Sequence, residues 1–125
     1  MNWEEYVILA RGLTKHRREA MDRSAVSRAY YGAFNLSRRW LEANVTPIDN
    51  RRAHEQVWET FKTADRASAA TRRGWILVGG LGDSLRRLRN QADYDDQVEF
   101  AGGAERAVAA AEHIVRLLRD LELDD

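Results

Sequence analysis

The chain has 125 residues, of which 44 % are hydrophobic and 32 % are charged, and its 20 basic residues balance 20 acidic ones. This size and composition predict one globular domain spanning residues 1–125, and the zero net charge provides no overall field that would attract nucleic acid. The complete lack of cysteine excludes disulfides, thiolate metal sites and a cysteine nucleophile.

Hydrophobic periodicity predicts helices throughout. Their approximate spans are residues 3–15, 20–43, 52–63, 71–92 and 104–121. The first is expected to begin at a capping box, because Asn2 is followed three residues later by Glu5. Residues 44–50 hold the only proline and several turn formers, which predicts a loop. The small and polar residues 64–70 indicate either a turn or the frayed start of the fourth helix. Residues 93–103 are an acidic, glycine-containing connector.

The second helix is predicted to lie at the centre of the fold. Its polar positions step by three and four residues and form one stripe: Ser24, Arg28, Tyr31, Asn35, Arg38 and Glu42. Most other positions are apolar or small, so we expect burial around most of the circumference. Gly32 costs roughly 1 kcal/mol in a helix interior, which predicts a closely packed helix there. The fold class expected is an all-α, up-and-down bundle of four to five helices.

The fourth helix contains Gly79, Gly80 and Gly82. Their summed propensity weakens a helix by ~3 kcal/mol, so a kink or break is one expectation. The segment is not a phosphate-binding loop, because it lacks the Gly-Lys-Ser/Thr end and no strand precedes it. Close helix packing or a bend is the favoured explanation.

Three histidines are available for chemistry. His54 shares an apolar stripe of the third helix, which favours a packed core or interface histidine. His16 lies in a basic connector and is expected to face solvent, and the role of His113 stays open. None has the spacing of metal ligands, so no metal and no cofactor are expected.

We expect a cytoplasmic location with no membrane association. No apolar run approaches the ~20 residues of a membrane span. The first residues also lack the basic region and cleavage site of a signal peptide.

Two segments, residues 27–42 and 85–96, together resemble the signature segments of small stand-alone HEPN-domain (higher eukaryotes and prokaryotes nucleotide-binding) proteins. The first resembles Ser-Arg-x-Tyr-Tyr-x-x-Phe through Ser27, Arg28, Tyr30, Tyr31 and Phe34. The second resembles Arg-x-x-Ala-Asp-Tyr-Asp through Arg89, Ala92, Asp93, Tyr94 and Asp95. The outer helices also fit, so the resemblance extends over almost the whole chain.

The resemblance implies a helical bundle that dimerises, with the polar clusters of two subunits meeting across the interface. Many HEPN proteins are metal-independent ribonucleases, often toxins or defence effectors paired with a small nucleotidyltransferase. Their catalytic motif is an arginine, then four to six intervening residues, then a histidine. This chain departs from it, because Tyr94, Asp95 and Asp96 stand where the histidine after Arg89 is expected.

Three functions remain open. The first is a homodimeric, HEPN-like nucleotide- or RNA-binding or regulatory module, partnered with a nucleotidyltransferase in a toxin–antitoxin or defence context. Its ligand-binding residues would be Arg28, Tyr31, Asn35, Arg89 and Asn90. The second is a metal-independent ribonuclease toxin with an atypical catalytic site. Its members would be Arg89, Asp93 and Tyr94.

The third is a structural interaction module that uses the acidic C-terminal tail, residues 121–125, and tryptophans as contacts. If no ligand binds, the polar residues of the candidate site would bond only one another and set the helix register. Each ligand-site hypothesis requires residues 28–35 and 89–94 to lie side by side and form one polar lining.

Overall fold

The computed structural model describes residues 1–16, 18–94 and 103–124. These residues contain five α-helices: α1 (Trp3–Leu13), α2 (Glu19–Asn44), α3 (Ala53–Thr63), α4 (Arg72–Tyr94) and α5 (Gly103–Asp120). Short 3₁₀ turns cover Thr14–His16 and Asn50–Arg52. The all-α bundle is therefore confirmed, and every predicted helix end lies within two residues of the observed one.

The predicted connector at residues 93–103 can be compared with the structure only at its two ends. Its first two residues continue α4 to Tyr94, and Gly103 begins α5. Residues 95–102, which include Asp95 and Asp96 of the motif, lie outside the described part of the chain. No helix within the described ranges is both long enough and apolar enough to span a membrane.

Helix α2 forms the centre of the bundle, as predicted. The other four helices all pack against it, and its buried positions include Val26, Tyr30 and Leu41. A Cβ atom placed on Gly32 would lie 2.8 Å from Val7 Cγ2 and 2.9 Å from the Trp3 carbonyl oxygen. The glycine therefore allows α1 to approach α2 at backbone distance, which is the close packing expected at this position.

Ion pairs join α1 to α5 at the surface. Arg11 bonds the carboxylates of both Glu105 and Glu112, at 2.7 Å from Nη2 to Glu112 Oε1. Arg119 donates to Glu4 Oε1 at 2.6 Å. The N-terminus of α1 is capped by Asn2, whose Oδ1 accepts from Glu4 N at 3.1 Å rather than from Glu5 N as in the predicted capping box.

Glycines bring α4 against α3. A Cβ atom on Gly82 would lie 2.1 Å from Trp58 Cε3, and one on Gly79 would lie 2.8 Å from the Trp58 carbonyl oxygen. Gly80 faces open space, with nothing within 4 Å of a Cβ atom placed there. Since α4 runs unbroken through all three, the alternative of a break is wrong, and the favoured close packing is confirmed at Gly79 and Gly82.

The segment before α4 is a turn rather than a frayed helix start. Ala64 ends α3 in the left-handed conformation, with φ 53°. Ala67 forms an antiparallel bridge with Leu123, and the Glu122 carbonyl accepts from Ser68 N at 2.9 Å and from Trp75 Nε1 at 3.2 Å. Residues 121–124 are therefore part of the folded domain rather than a free tail.

Candidate functional site

The two signature segments meet between α2 and α4. Nη2 of Arg89 donates a hydrogen bond to the hydroxyl of Tyr31, and the Ser27 hydroxyl donates to Asp93 Oδ2 at 3.4 Å. Arg23 donates to the carbonyls of Gln91 and Ala92 at 3.1 and 3.0 Å, so α2 also holds the end of α4. The predicted adjacency of residues 28–35 and 89–94 is confirmed.

The guanidinium of Arg89 lies over two aromatic rings. Its Cζ is 5.0 Å from the ring centroid of Tyr31 and 5.3 Å from that of Tyr94, within the range of cation–π attraction. Nε lies 2.9 Å from Asp93 Oδ2 one turn further along α4, and Nη1 donates to Asn90 Oδ1 at 3.2 Å. The side chain is only 15 % exposed, so these contacts hold the guanidinium in one place.

Nε of Arg89 has incomplete hydrogen bonding. It is buried, and although Asp93 supplies an opposite charge, no acceptor among the described residues lies in line with the Nε–H. A buried donor without an aligned acceptor loses free energy that a better-placed anion would recover.

The remaining candidates lie around Arg89 to different degrees. Asn90 contacts it directly, whereas Asn35 donates at 2.9 Å to the Tyr31 carbonyl of its own helix. Arg28 is exposed and has no hydrogen bond or ion pair in the described residues. Five of the seven residues singled out from the sequence thus form one cluster: Tyr31, Arg89, Asn90, Asp93 and Tyr94.

A second, aromatic layer lies directly behind this cluster. The Tyr30 hydroxyl is 2.6 Å from His54 Nδ1 and accepts from Trp58 Nε1 at 3.1 Å. The His54 imidazole stacks on Phe34 with ring centroids 4.0 Å apart, and Tyr30 is 5.9 Å from the Tyr31 ring. His54 is therefore the packed histidine that its stripe predicted, but it also lies next to the polar cluster.

The surroundings of this layer shift its acid–base groups. Burial raises the pKa of Tyr30 to about 12, although the Trp58 hydrogen bond and the charge of Arg86 oppose the shift. Burial lowers the pKa of His54 below its ordinary value, and the charges of Arg86, Arg89 and Arg38 lower it further. His54 is consequently neutral at physiological pH.

Sequence reasoning missed the place of His54 and Arg86 in this arrangement. His54 lies on α3 and Arg86 on α4, and no spacing in the sequence connects them. The available signal was the position of Arg86 three residues before Arg89, which puts both on one face of a helix.

Other parts of the surface differ in character from this cluster. A mainly apolar groove of about 400 Å³ lies along the second half of α2 and against α5, lined by Leu36, Trp40, Val115 and Leu118 among others. None of the site residues lines it. The described residues contain no group of three or more histidine or acidic side chains that could hold a metal ion.

Comparisons with protein-family models, with curated proteins and with solved structures gave no match to this chain. The chemistry of the cluster must therefore be argued from its own residues.

Proposed function

We propose that this chain is a HEPN-like module that binds a nucleotide or RNA at the Arg89 cluster. The observation that carries the proposal is the Arg89 guanidinium held over Tyr31 and Tyr94, with an Nε–H that lacks an aligned acceptor. Arginine is well suited to phosphate, because its planar fork donates two parallel hydrogen bonds to neighbouring oxygens.

Asp93 acts as an internal substitute for the ligand. Its carboxylate neutralises Arg89 at 2.9 Å in the free protein, and an incoming phosphate would replace it with better-aligned oxygens. Because the guanidinium is already fixed by Tyr31, little side-chain entropy is lost on binding. Binding is selective for phosphate over weaker anions, since the ligand must compete with a carboxylate.

Tyr94 provides a surface on which a base can stack. The residue is 74 % exposed although its ring lies beside Arg89, so part of the ring is available to solvent. Stacking of a base on an aromatic ring contributes about 1–3 kcal/mol and tolerates any base. A phosphate on Arg89 and a base on Tyr94 together describe a nucleotide or single-stranded RNA.

We include in the proposal a homodimer and a nucleotidyltransferase partner, as the HEPN resemblance implies. Ile76 and Leu77 on α4 support an interface on this helix, because they are 48 % and 43 % exposed. Light scattering on the purified chain tests the dimer, and co-purification from the source cells tests the partner. A monomer at micromolar concentration would contradict the dimer but not the ligand site.

Fluorescence anisotropy with a labelled, short single-stranded RNA of mixed sequence tests the ligand site. We expect Arg89→Gln to weaken binding by about tenfold or more, because it removes a charge-assisted contact. Arg73→Gln is the matched control, since Arg73 is exposed on the same helix and its change removes the same charge. Equal affinity of Arg89→Gln and Arg73→Gln would refute the site.

The same proteins separate the alternative functions. RNA that is cleaved by the parent chain and left intact by Arg89→Gln would favour the ribonuclease over a binding module. Failure of RNA and of nucleotides to bind, combined with a stable co-purifying partner, would favour the structural interaction module.

A further inference from the structure

Trp58, Tyr30 and His54 form a hydrogen-bond chain with a defined direction. The indole Nε1–H of Trp58 can only donate, and it donates to the Tyr30 oxygen at 3.1 Å. The Tyr30 oxygen is also 2.6 Å from His54 Nδ1. These are its two hydrogen-bond partners among the described residues, and the Tyr30 side chain is fully buried.

This geometry determines which nitrogen of His54 carries the proton. If Nδ1 were protonated, it would donate to Tyr30, and the buried Tyr30 O–H would have no acceptor in the described structure. A buried donor without an acceptor destabilises the fold. The Tyr30 hydroxyl therefore donates to Nδ1, and the neutral imidazole carries its proton on Nε2.

The charged groups around His54 leave one cation uncompensated. Arg38 on α2 is engaged by Glu42 at 3.3 Å and by Asn50 at 2.6 Å, and Arg89 on α4 is paired with Asp93. Arg86 has no hydrogen bond or ion pair within the described ranges, although its charge acts on both Tyr30 and His54.

The imidazole of His54 therefore lies within electrostatic range of a guanidinium that has no hydrogen bond or ion pair among the described residues. Nε2 of His54 is likewise without a protein acceptor in the described part of the chain, and the residue is only half-buried. Glu55, the acidic residue that follows His54 in the chain, is paired with Arg52 at 2.8 Å. An anion is the ligand that this pair of donors lacks.

We propose that the Nε2–H of His54 and the guanidinium of Arg86 bind a phosphate group, adjacent to the one that contacts Arg89. This inference rests on the proposed function and deepens it. Side chains three residues apart on a helix have Cβ atoms about 5–6 Å apart, so Arg86 and Arg89 reach neighbouring groups of one ligand. The site would therefore hold two phosphates of a single strand, or the phosphate chain of a nucleotide.

His54 serves in this site as a hydrogen-bond donor and not as a general base. A base needs an unprotonated nitrogen towards the ligand, whereas the nitrogen without a proton is Nδ1, which Tyr30 occupies. The Trp58–Tyr30 pair thus positions His54 through its tautomer, and neither residue touches the ligand.

Imidazole ¹⁵N NMR tests the tautomer directly, with the His54 signals assigned by their loss in His54→Gln. We expect Nε2 protonated and Nδ1 unprotonated at neutral pH, and a mixture of tautomers in Tyr30→Phe. A wild-type His54 that is protonated on Nδ1, or on both nitrogens, would overturn the inference.

Titration with inorganic phosphate, with a nucleoside monophosphate and with the short RNA tests the site itself. We expect all three to shift the His54 Nε2 signal, and Arg86→Gln and His54→Phe each to weaken RNA binding at least about fivefold. Arg87→Gln is the matched control, because it removes the same charge from an exposed neighbour whose side chain bonds only Ser84 among described residues. Thermal unfolding shows whether each variant is folded. If His54→Phe does not fold, the RNA affinity of Arg86→Gln alone tests the site.

The outcomes separate this inference from the proposed function. RNA binding that requires Arg89 but is unchanged in Arg86→Gln would overturn the His54–Arg86 site and leave the proposed function standing. A phosphate shift at His54 that requires Arg86, in a protein that binds no RNA or nucleotide, would support the phosphate site and overturn the proposed function. The absence of any shift at His54 with all three probes would overturn the inference.

Discussion

Replacement of Gly82 by alanine tests how closely α3 and α4 pack behind the site. The new methyl carbon would lie 2.1, 2.3 and 2.5 Å from three ring carbons of Trp58. Real carbon atoms do not approach this closely, so either the ring or the helix must move. Trp58 is fully buried, and its ring also donates to the Tyr30 hydroxyl, so neither movement is free of cost.

The magnitude follows from two opposing contributions. Alanine in place of glycine favours a helix by about 1 kcal/mol. Overpacking of a well-filled core costs about 1–3 kcal/mol, and contact with three atoms of a buried ring places Gly82→Ala at the upper end. We therefore expect a net loss of about 2 kcal/mol in the free energy of unfolding.

Gly80→Ala is the matched control on the same helix. A methyl group there meets nothing within 4 Å, so only the gain of up to about 1 kcal/mol from helix propensity remains. The two variants should differ by about 3 kcal/mol, which corresponds to roughly 10 °C in Tm for a domain of this size.

Urea unfolding and calorimetry of the parent chain and both variants measure this difference. Tryptophan fluorescence should also change in Gly82→Ala, since Trp58 must shift. Equal unfolding midpoints for Gly80→Ala and Gly82→Ala would refute the argument, because they would mean that α4 does not lie against the Trp58 ring.

Three further predictions concern pH and the C-terminal segment. The pKa of Tyr30 rises from 10.0 to about 12 on folding, so stability should fall by about 2–3 kcal/mol between pH 10 and 12, and Tyr30→Phe should flatten this decline in urea unfolding against pH. Arg11 lowers the pKa of Glu112, so this ion pair should stabilise the fold above pH 4.5, and the stabilisation should be lost as the pH falls through the folded-state pKa. Glu112→Gln should remove this contribution from the acid unfolding transition. The contribution to the free energy of unfolding is under about 1 kcal/mol, because the pair is partly exposed. Removal of residues 121–125 deletes the Glu122 carbonyl, which accepts hydrogen bonds from Ser68, Thr71 and Trp75. Calorimetry should therefore show a free energy of unfolding lower by about 2–3 kcal/mol. Removal of residue 125 alone should leave the free energy of unfolding unchanged.

Local patterns were sufficient to predict the helices. The three- and four-residue steps of the polar stripe on α2 identified the central helix, and Gly32 correctly indicated a close approach, which α1 makes. In α4 the favoured prediction of close packing is confirmed at Gly79 and Gly82, and the alternative of a break, which follows from helix propensity alone, is wrong. Gly79 and Gly82 remain helical since the contacts with Trp58 and Lys62 compensate for their propensity.

The candidate site was predictable to the extent that it follows sequence motifs. Tyr31, Arg89, Asn90, Asp93 and Tyr94 meet as expected. Arg28 remains at the surface without a hydrogen bond or ion pair in the described residues, although it shares its stripe with Tyr31. The functions assigned to these residues stay predictions until binding is measured.

The sequence by itself determined the number, limits and burial of the helices, because periodicity and capping depend on residues a few positions apart. Only the tertiary structure decided that His54 meets Tyr30 and lies within the electrostatic influence of Arg86. These residues belong to three different helices, and their approach depends on how closely α3 packs against α4. That distance is set by the absence of side chains at Gly79 and Gly82, a packing effect that no local pattern encodes.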